Sequence, residues 1–151
     1  MEGGSIKIIA RNKKARFDYE LGDRFEAGLV LKGTEVKSLR MGKASLSEAY
    51  ARIKNEEIWL VGCQIQPYPF AYYDNHDPTR PRKLLLHKRE IKRLTGKLAE
   101  QGYSLIPLAL YFKRGKAKVE LALAKGKKRH DKRAAIKRRE QEREMARALK
   151  H

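Results

Sequence analysis

The chain is predicted to be mainly β: a body of short strands followed by a basic C-terminal extension. Three observations carry that expectation. Apolar residues recur with period two in several short segments. Only two segments of the body carry helical spacing. Composition then changes sharply near Ala124: the last 27 residues hold twelve Lys and Arg against four acids, a net +8, leaving +10 for residues 1–124. The large apolar groups of the extension are Ile136, Met145 and Leu149, too few for a core of its own. The body is therefore set at 1–124 and the tail at 125–151.

In chain order, Ile6 to Ile9 can pair at a sheet edge, and a strand is expected from about Phe25 to Leu31, ending at Lys32 and Gly33. Thr34 stands where it can cap a short helix over 35–40, with Gly42 as the stop. Ala49, Ala51 and Ile53 lead to a polar turn at Asn55, Glu56 and Glu57. From Ile58 to Ile65 an apolar strand resumes, containing Trp59. Residues 67–83 hold four of the five prolines together with Tyr68, Phe70, Tyr72 and Tyr73, and read as a long loop. His87 to Gln101 places Ile91, Leu94 and Leu98 on one helical face, and Gly102 follows as the stop. Leu108, Leu110 and Phe112 pair with Ala117, Val119, Leu121 and Leu123 across a turn at 113–116. In the second of these strands Lys118, Glu120 and Ala122 take the solvent side.

Short strands at close spacing with few helices fit a small closed barrel. An OB-like barrel is the natural candidate, because closure removes sheet edges and such barrels commonly bind oligonucleotides. A mixed α+β sandwich would show the same periods.

A formal net charge of +18 is the electrostatic footprint of a polyanion binder. Charge alone leaves RNA, DNA, an anionic membrane and an acidic protein open. A single cysteine, Cys63, excludes an internal disulfide and a cysteine-cluster metal site. The sequence has no apolar stretch of 18 residues to span a membrane, and a cytoplasmic location is expected. No metal, cofactor or catalytic role is expected either. The four histidines lack metal-ligand spacing, and neither a nucleophile elbow nor a complete phosphate-binding loop occurs. Glu26, Glu35 and Glu48 would form an acid–base pair only by accident of folding.

Nucleic-acid features are richer. Arg11, Asn12, Lys13, Lys14, Arg16 and Phe17 pack cations, an amide and an aromatic into seven residues. Cations there can neutralise phosphates, and Asn12 can read a base edge or a 2′-hydroxyl; a flexible, solvated basic arm is the plainer alternative. The tail has high helix propensity and no Pro after Lys128. Self-repulsion makes it marginal alone, so it is expected to be disordered when free and helical in a polyanionic groove. Its apolar face is mostly alanine, which favours RNA over a lipid surface. The aromatics of the 67–83 loop, with Arg80 and Arg82, can stack on bases or cover one end of the barrel. The cover is favoured, since stacking platforms usually sit on strands.

The segment Glu26 to Arg40, reading EAGLVLKGTEVKSLR, closely resembles the most characteristic string of the SmpB family. The chain also matches it at Asn12, at 82–88 (RKLLLHK), at 106–108 (IPL), at 122–128 (ALAKGKK) and at Asp131, Lys132 and Arg133. The resemblance implies an OB-like barrel with flanking helices. It further implies binding to the tRNA-like domain of transfer-messenger RNA (tmRNA) and delivery to the A site of stalled ribosomes. There the tail would lie as a helix in the empty message channel.

It also implies RNA-binding roles for Asn12, Glu26 and Leu86, a junction role for Gly126, Lys127 and Lys128, and decoding-site engagement by Asp131, Lys132 and Arg133. Lys32, Lys37, Arg40, Lys88 and Lys125 lie within the matching strings and join the candidate RNA-binding cations. A monomer is implied, with elongation factor Tu met indirectly through alanyl-tmRNA. A generic OB-type RNA-binding or ribosome-associated module shares the charge and the fold. Such a module has no reason to carry the 26–40 string together with Asp131, Lys132 and Arg133.

Overall fold

A computed structural model describes residues 5–100 and 102–127. Asp131, Lys132 and Arg133, expected at the decoding site, Lys128, expected at the junction, and the expected tail helix lie outside the described residues.

Nine strands and three short helices follow one another among the described residues. β1 (Ile6–Arg11), α1 (Ala15–Asp18), β2 (Tyr19–Leu29) and α2 (Gly33–Arg40) come first. β3 (Ala44–Ser45), β4 (Tyr50–Lys54), β5 (Glu57–Val61) and β6 (Gln64–Ile65) form the middle. β7 (Arg82–Leu85), α3 (Lys88–Leu98), β8 (Tyr103–Lys113) and β9 (Lys116–Gly126) complete the body. Six strands close into a barrel-like ring, β8-β4-β5-β7-β2-β9, which returns to β8 through the β8–β9 pairing. β8 is long enough to hold β4 at Leu105 and β1 at residues 109–113 while pairing with β9 along its length. The mainly β class is therefore as the alternation implied, and the flanking short helices are as the resemblance implied.

Two hairpins close through paired residues of positive φ, Asn55 with Glu56 and Arg114 with Gly115. That left-handed pair matches the right-handed twist of the flanking strands. The core inside the ring is built from the predicted faces: Phe25, Ala27 and Leu29; Ile58 and Leu60; Val119, Leu121 and Leu123. Leu94 of α3 is completely buried against it. Leu105 and Leu110 both join this core although their parity differs. A register shift between Pro107 and Ala109 turns the strand over, at a proline that has no N–H to give a ladder.

Several expectations need correcting. β2 begins at Tyr19, well before Phe25, and ends at Leu29. The run from Ile58 to Ile65 is divided into β5 and β6 by Gly62, whose φ is +79°. A Cβ there would stand 2.5 Å from the Glu48 carbonyl oxygen, so only glycine fits. Thr34 does not cap α2. The N-cap is Lys32, whose N–H donates to Glu35 Oε1 at 2.7 Å. The Thr34 hydroxyl instead meets His76 Nδ1 at 2.9 Å. Ala122 is buried rather than solvent-facing, because α1 covers it together with Ala124, Ile106 and Leu108 in a second, smaller cluster centred on Ala15.

The proline-rich loop is anchored by polar groups, and its exposed aromatics do not make the cover. Glu35, fully buried, receives Arg80 at 2.5 Å and Arg82 Nε at 2.5 Å. Arg82, also fully buried, donates to the carbonyls of Cys63 (2.8 Å), Asp77 (3.3 Å) and Pro78 (3.1 Å). His76 is buried, and its Nε2 lies 2.9 Å from the Ile65 carbonyl, which can only accept, so that nitrogen carries a proton. Phe70, Tyr72 and Tyr73 remain 67%, 90% and 86% exposed. Arg82 thus serves as a structural staple, not a base-stacking cation.

Candidate nucleic-acid interface

The basic N-terminal segment and the start of the tail, more than 100 residues apart in sequence, are held side by side. Asn12 donates its backbone N–H to Leu108 O (2.8 Å) and its amide Nδ2 to Pro107 O (3.1 Å), which fixes the segment on β8 and leaves Oδ1 as an acceptor. Ala15, the buried first residue of α1, then seats that helix on the second core cluster. Arg11, Lys13, Lys14 and Arg16 are all exposed. The Lys127 ammonium donates to the Arg16 carbonyl at 2.7 Å and its backbone N–H to Asp18 O at 3.3 Å. Tyr19 pairs with Gly126 and Glu20 with Lys125 on the β2–β9 ladder. The segment is therefore a docked shelf rather than a flexible arm, and residues 125–127 lie along it.

Beside this junction, Tyr103 carries two ammonium groups over its ring, Lys97 at 5.6 Å and Lys125 at 5.5 Å. A groove of about 720 Å³ opens where β4 and β8 share only the Ala51–Leu105 pair. Asn12, Lys14, Tyr19, Tyr50, Arg52 and Tyr103 are among its walls.

Glu26 stands elsewhere on the β2–β9 ladder, opposite Glu120 and seven residues along from Tyr19, a strand length of roughly 20 Å. Its carboxylate accepts from Tyr111 Oη at 2.5 Å and from Lys113 Nζ at 3.4 Å. The Tyr111 hydrogen bond, helped by Lys113 and Lys118, outweighs burial and holds Glu26 below the usual carboxylate range. Burial, then the bond to Glu26, pushes the Tyr111 phenol well above its ordinary value. The result is a charged acceptor ringed by donors, able to engage a base amino group or a ribose hydroxyl.

The remaining candidates do not join either group. Lys32, Lys37 and Arg40 are exposed on or beside α2, and Lys37 lies 5.5 Å over the Tyr68 ring. Leu86 packs against the main core, and Lys88 opens α3, where Glu90 accepts from the His87 N–H at 3.2 Å. Glu26, Glu35 and Glu48 make no acid–base pair: Glu26 and Glu35 each have separate cationic partners. Among the described residues no cluster of His, Cys, Asp and Glu is arranged to hold a metal ion, and no helix is long and apolar enough to cross a membrane.

Sequence reasoning missed Tyr103, Tyr111, Lys113 and Lys118 as partners of the site. Tyr111 was within reach, since alternation with Leu110 and Phe112 already turned it away from the core face. Nothing in the sequence marks Tyr103, because its lysines come from α3 and β9.

A barrel-like ring with an exposed cationic shelf and a groove walled by exposed Tyr50 and half-buried Tyr19 and Tyr103 fits a small, mainly β nucleic-acid-binding protein. Residues 9–151 match the family model described as SmpB protein. The chain belongs to the SmpB family. It is 60% identical over 144 residues to the SsrA-binding protein of Geobacter metallireducens, covering 95% of this chain and 94% of that one. It is 53% identical over 149 residues to the SsrA-binding protein of Thermosynechococcus vestitus, with 98% of each chain covered. A solved chain described under "tmRNA-SmpB: a journey to the center of the bacterial ribosome" aligns with a TM-score of 0.65 and 52% identity, over 78% of this chain and 82% of that chain.

Proposed function

We propose that this protein binds the tRNA-like domain of transfer-messenger RNA through its body and accompanies it to the A site of ribosomes stalled on truncated messages. The observation that carries this reading is the docking of the exposed cationic segment 11–16 against residues 125–127, where the basic tail begins in the sequence. Family membership agrees with it. Asn12 and Glu26 are the residues assigned to read RNA groups; Arg11, Lys13, Lys14, Arg16 and Lys125 meet phosphates. Leu86 acts through placement of the α3 start, next to Lys88. Lys32, Lys37 and Arg40 supply a third phosphate-facing set.

The tail gains contacts in a channel of ribosomal RNA only when no message fills it, and so senses emptiness by competition. Gly126, Lys127 and Lys128 form its junction. Asp131, Lys132 and Arg133 engage the decoding site, Asp131 by holding a cation or capping the tail helix. The protein works as a cytoplasmic monomer without catalysis or cofactor, and meets elongation factor Tu only through the aminoacylated RNA.

The test is competition binding at fixed salt. Labelled tRNA-like domain is challenged with excess tRNA and with unrelated RNA of equal length. Retention against both supports the reading; equal displacement by any RNA reduces the protein to a generic basic binder. Deleting residues after Lys128 is expected to spare this binding and abolish peptide tagging.

A further inference from the structure

We propose that the outer face of β4, β5 and β7 is a second RNA platform, on which an unpaired base stacks on Trp59 while neighbouring phosphates meet Arg52, Lys54 and Lys83. The strand register builds it. Arg52 pairs with Trp59 across β4–β5, and Trp59 with Lys83 across β5–β7. Ile58, Leu60 and Leu84 on the alternate positions are buried in the core, so the row Arg52–Trp59–Lys83 faces outward. With neighbouring strands about 4.8 Å apart, the indole has a cation on each side at a base-to-phosphate scale of spacing.

Trp59 is partly exposed, and a groove of about 690 Å³ lies over it, walled by Lys54, Asn55 and Glu57 at one end and by Val61 and Pro81 at the other. Lys83 is bound to Glu57 at 3.4 Å, whereas Arg52 and Lys54 have no ion pair among the described residues. The face therefore carries three cations against one acid, which suits a polyanion better than an apolar partner. An aromatic on a strand between cations is the arrangement by which single-stranded nucleic acid is held without sequence readout.

This face is separate from the Glu26 site. In the six-stranded ring β5 stands three strands from β9 by either route, so Trp59 and the Glu26–Tyr111 group look out from opposite sides. The protein can then touch two RNA segments at once, one on each side of the ring. The inference stands whether or not the tRNA-like domain is the ligand of the other side.

Trp59 is the sole tryptophan, so its fluorescence reports this face alone. The full chain is titrated at fixed salt with a labelled single-stranded adenosine pentanucleotide, reading label anisotropy for total binding and Trp59 emission for stacking. Saturable quenching that follows the anisotropy is expected. In an Arg52→Gln/Lys83→Gln variant the quenching midpoint is expected about ten-fold weaker, and its log–log salt slope smaller by about 1.4, two phosphates at roughly 0.7 each. An unchanged Trp59 emission maximum before RNA is added shows that the variant's face is intact. Anisotropy rising without quenching, no binding at all, or an unshifted midpoint in the variant would each overturn the proposal. Equal quenching by an acidic peptide would overturn it too, assigning the face to a protein partner.

Discussion

Two glutamates of this protein, Glu35 and Glu26, hold the same charge in opposite settings. Glu35 is fully buried and receives four donors: Lys32 N–H, Arg80 through Nε and Nη2, and Arg82 Nε. Burial raises its pKa, but the Arg80, Lys32 and Arg82 bonds outweigh it and leave the carboxyl below its ordinary range. Glu26 is exposed, with Tyr111 and Lys113 as its donors, and it also lies below the ordinary range. A similar direction of shift therefore says nothing about role. Where the charge is buried its partners are committed to the fold. Where it is exposed the remaining lone pairs are open to a ligand.

The largest expected effect is at the buried site. Glu35→Ala leaves Arg82 charged and uncompensated beneath the proline-rich loop, and should cost about 3–5 kcal/mol in urea unfolding. A loss below 1 kcal/mol would mean that Arg82 is solvated, and the contrast would collapse. Glu26→Ala should move stability by no more than about 1 kcal/mol, because exposed pairs contribute little. Its affinity for the tRNA-like domain should instead fall about ten-fold, a loss near 1.4 kcal/mol. An affinity equal to that of the parent would remove Glu26 from the interface.

Acid sharpens the same comparison. Both carboxyls have folded pKa values below their unfolded ones, so each stabilises the fold fully above the ordinary carboxylate range. That contribution is lost as pH falls through the lowered folded value. Glu35→Gln should flatten the fall of stability below about pH 4.5 more than Glu26→Gln does, as measured by urea midpoints against pH. The smallest effect belongs to Tyr111→Phe, which removes one bond to Glu26. It should cost on the order of 1 kcal/mol or less and raise the Glu26 pKa, read by carboxyl NMR titration.

The neutral core was legible from the residues. Period-two alternation placed Val119, Leu121 and Leu123 inside, and helical spacing placed Leu94 against them. Two local features were less so. Gly62 breaks an apolar run because Glu48 O comes too close, and Ala122 hides under a four-residue helix too short to show a period. For the candidate site, the cations of 11–16 and 125–127 were visible as charge, but their juxtaposition was not, since a ladder between β2 and β9 brings it about. Arg82 shows the limit in reverse. Beside aromatics and prolines it reads as part of a cover over one end of the barrel, with base stacking as the alternative, yet register at β7 turns it inward toward Glu35.

The mainly β class, the change of composition near Ala124, the excess of positive charge and the family strings are all legible in the residues alone, because each depends on which residues are near one another along the chain; the strand across that change, β9, nevertheless runs on to Gly126. Which charges are held inside and which face solvent is set by the tertiary structure. Whether Glu35 or Glu26 meets water, and whether Trp59 has a cation on each side, depends on strand pairing between distant segments. Local periodicity sets which face of a strand is apolar; it carries no term for what the polar face will find across the sheet.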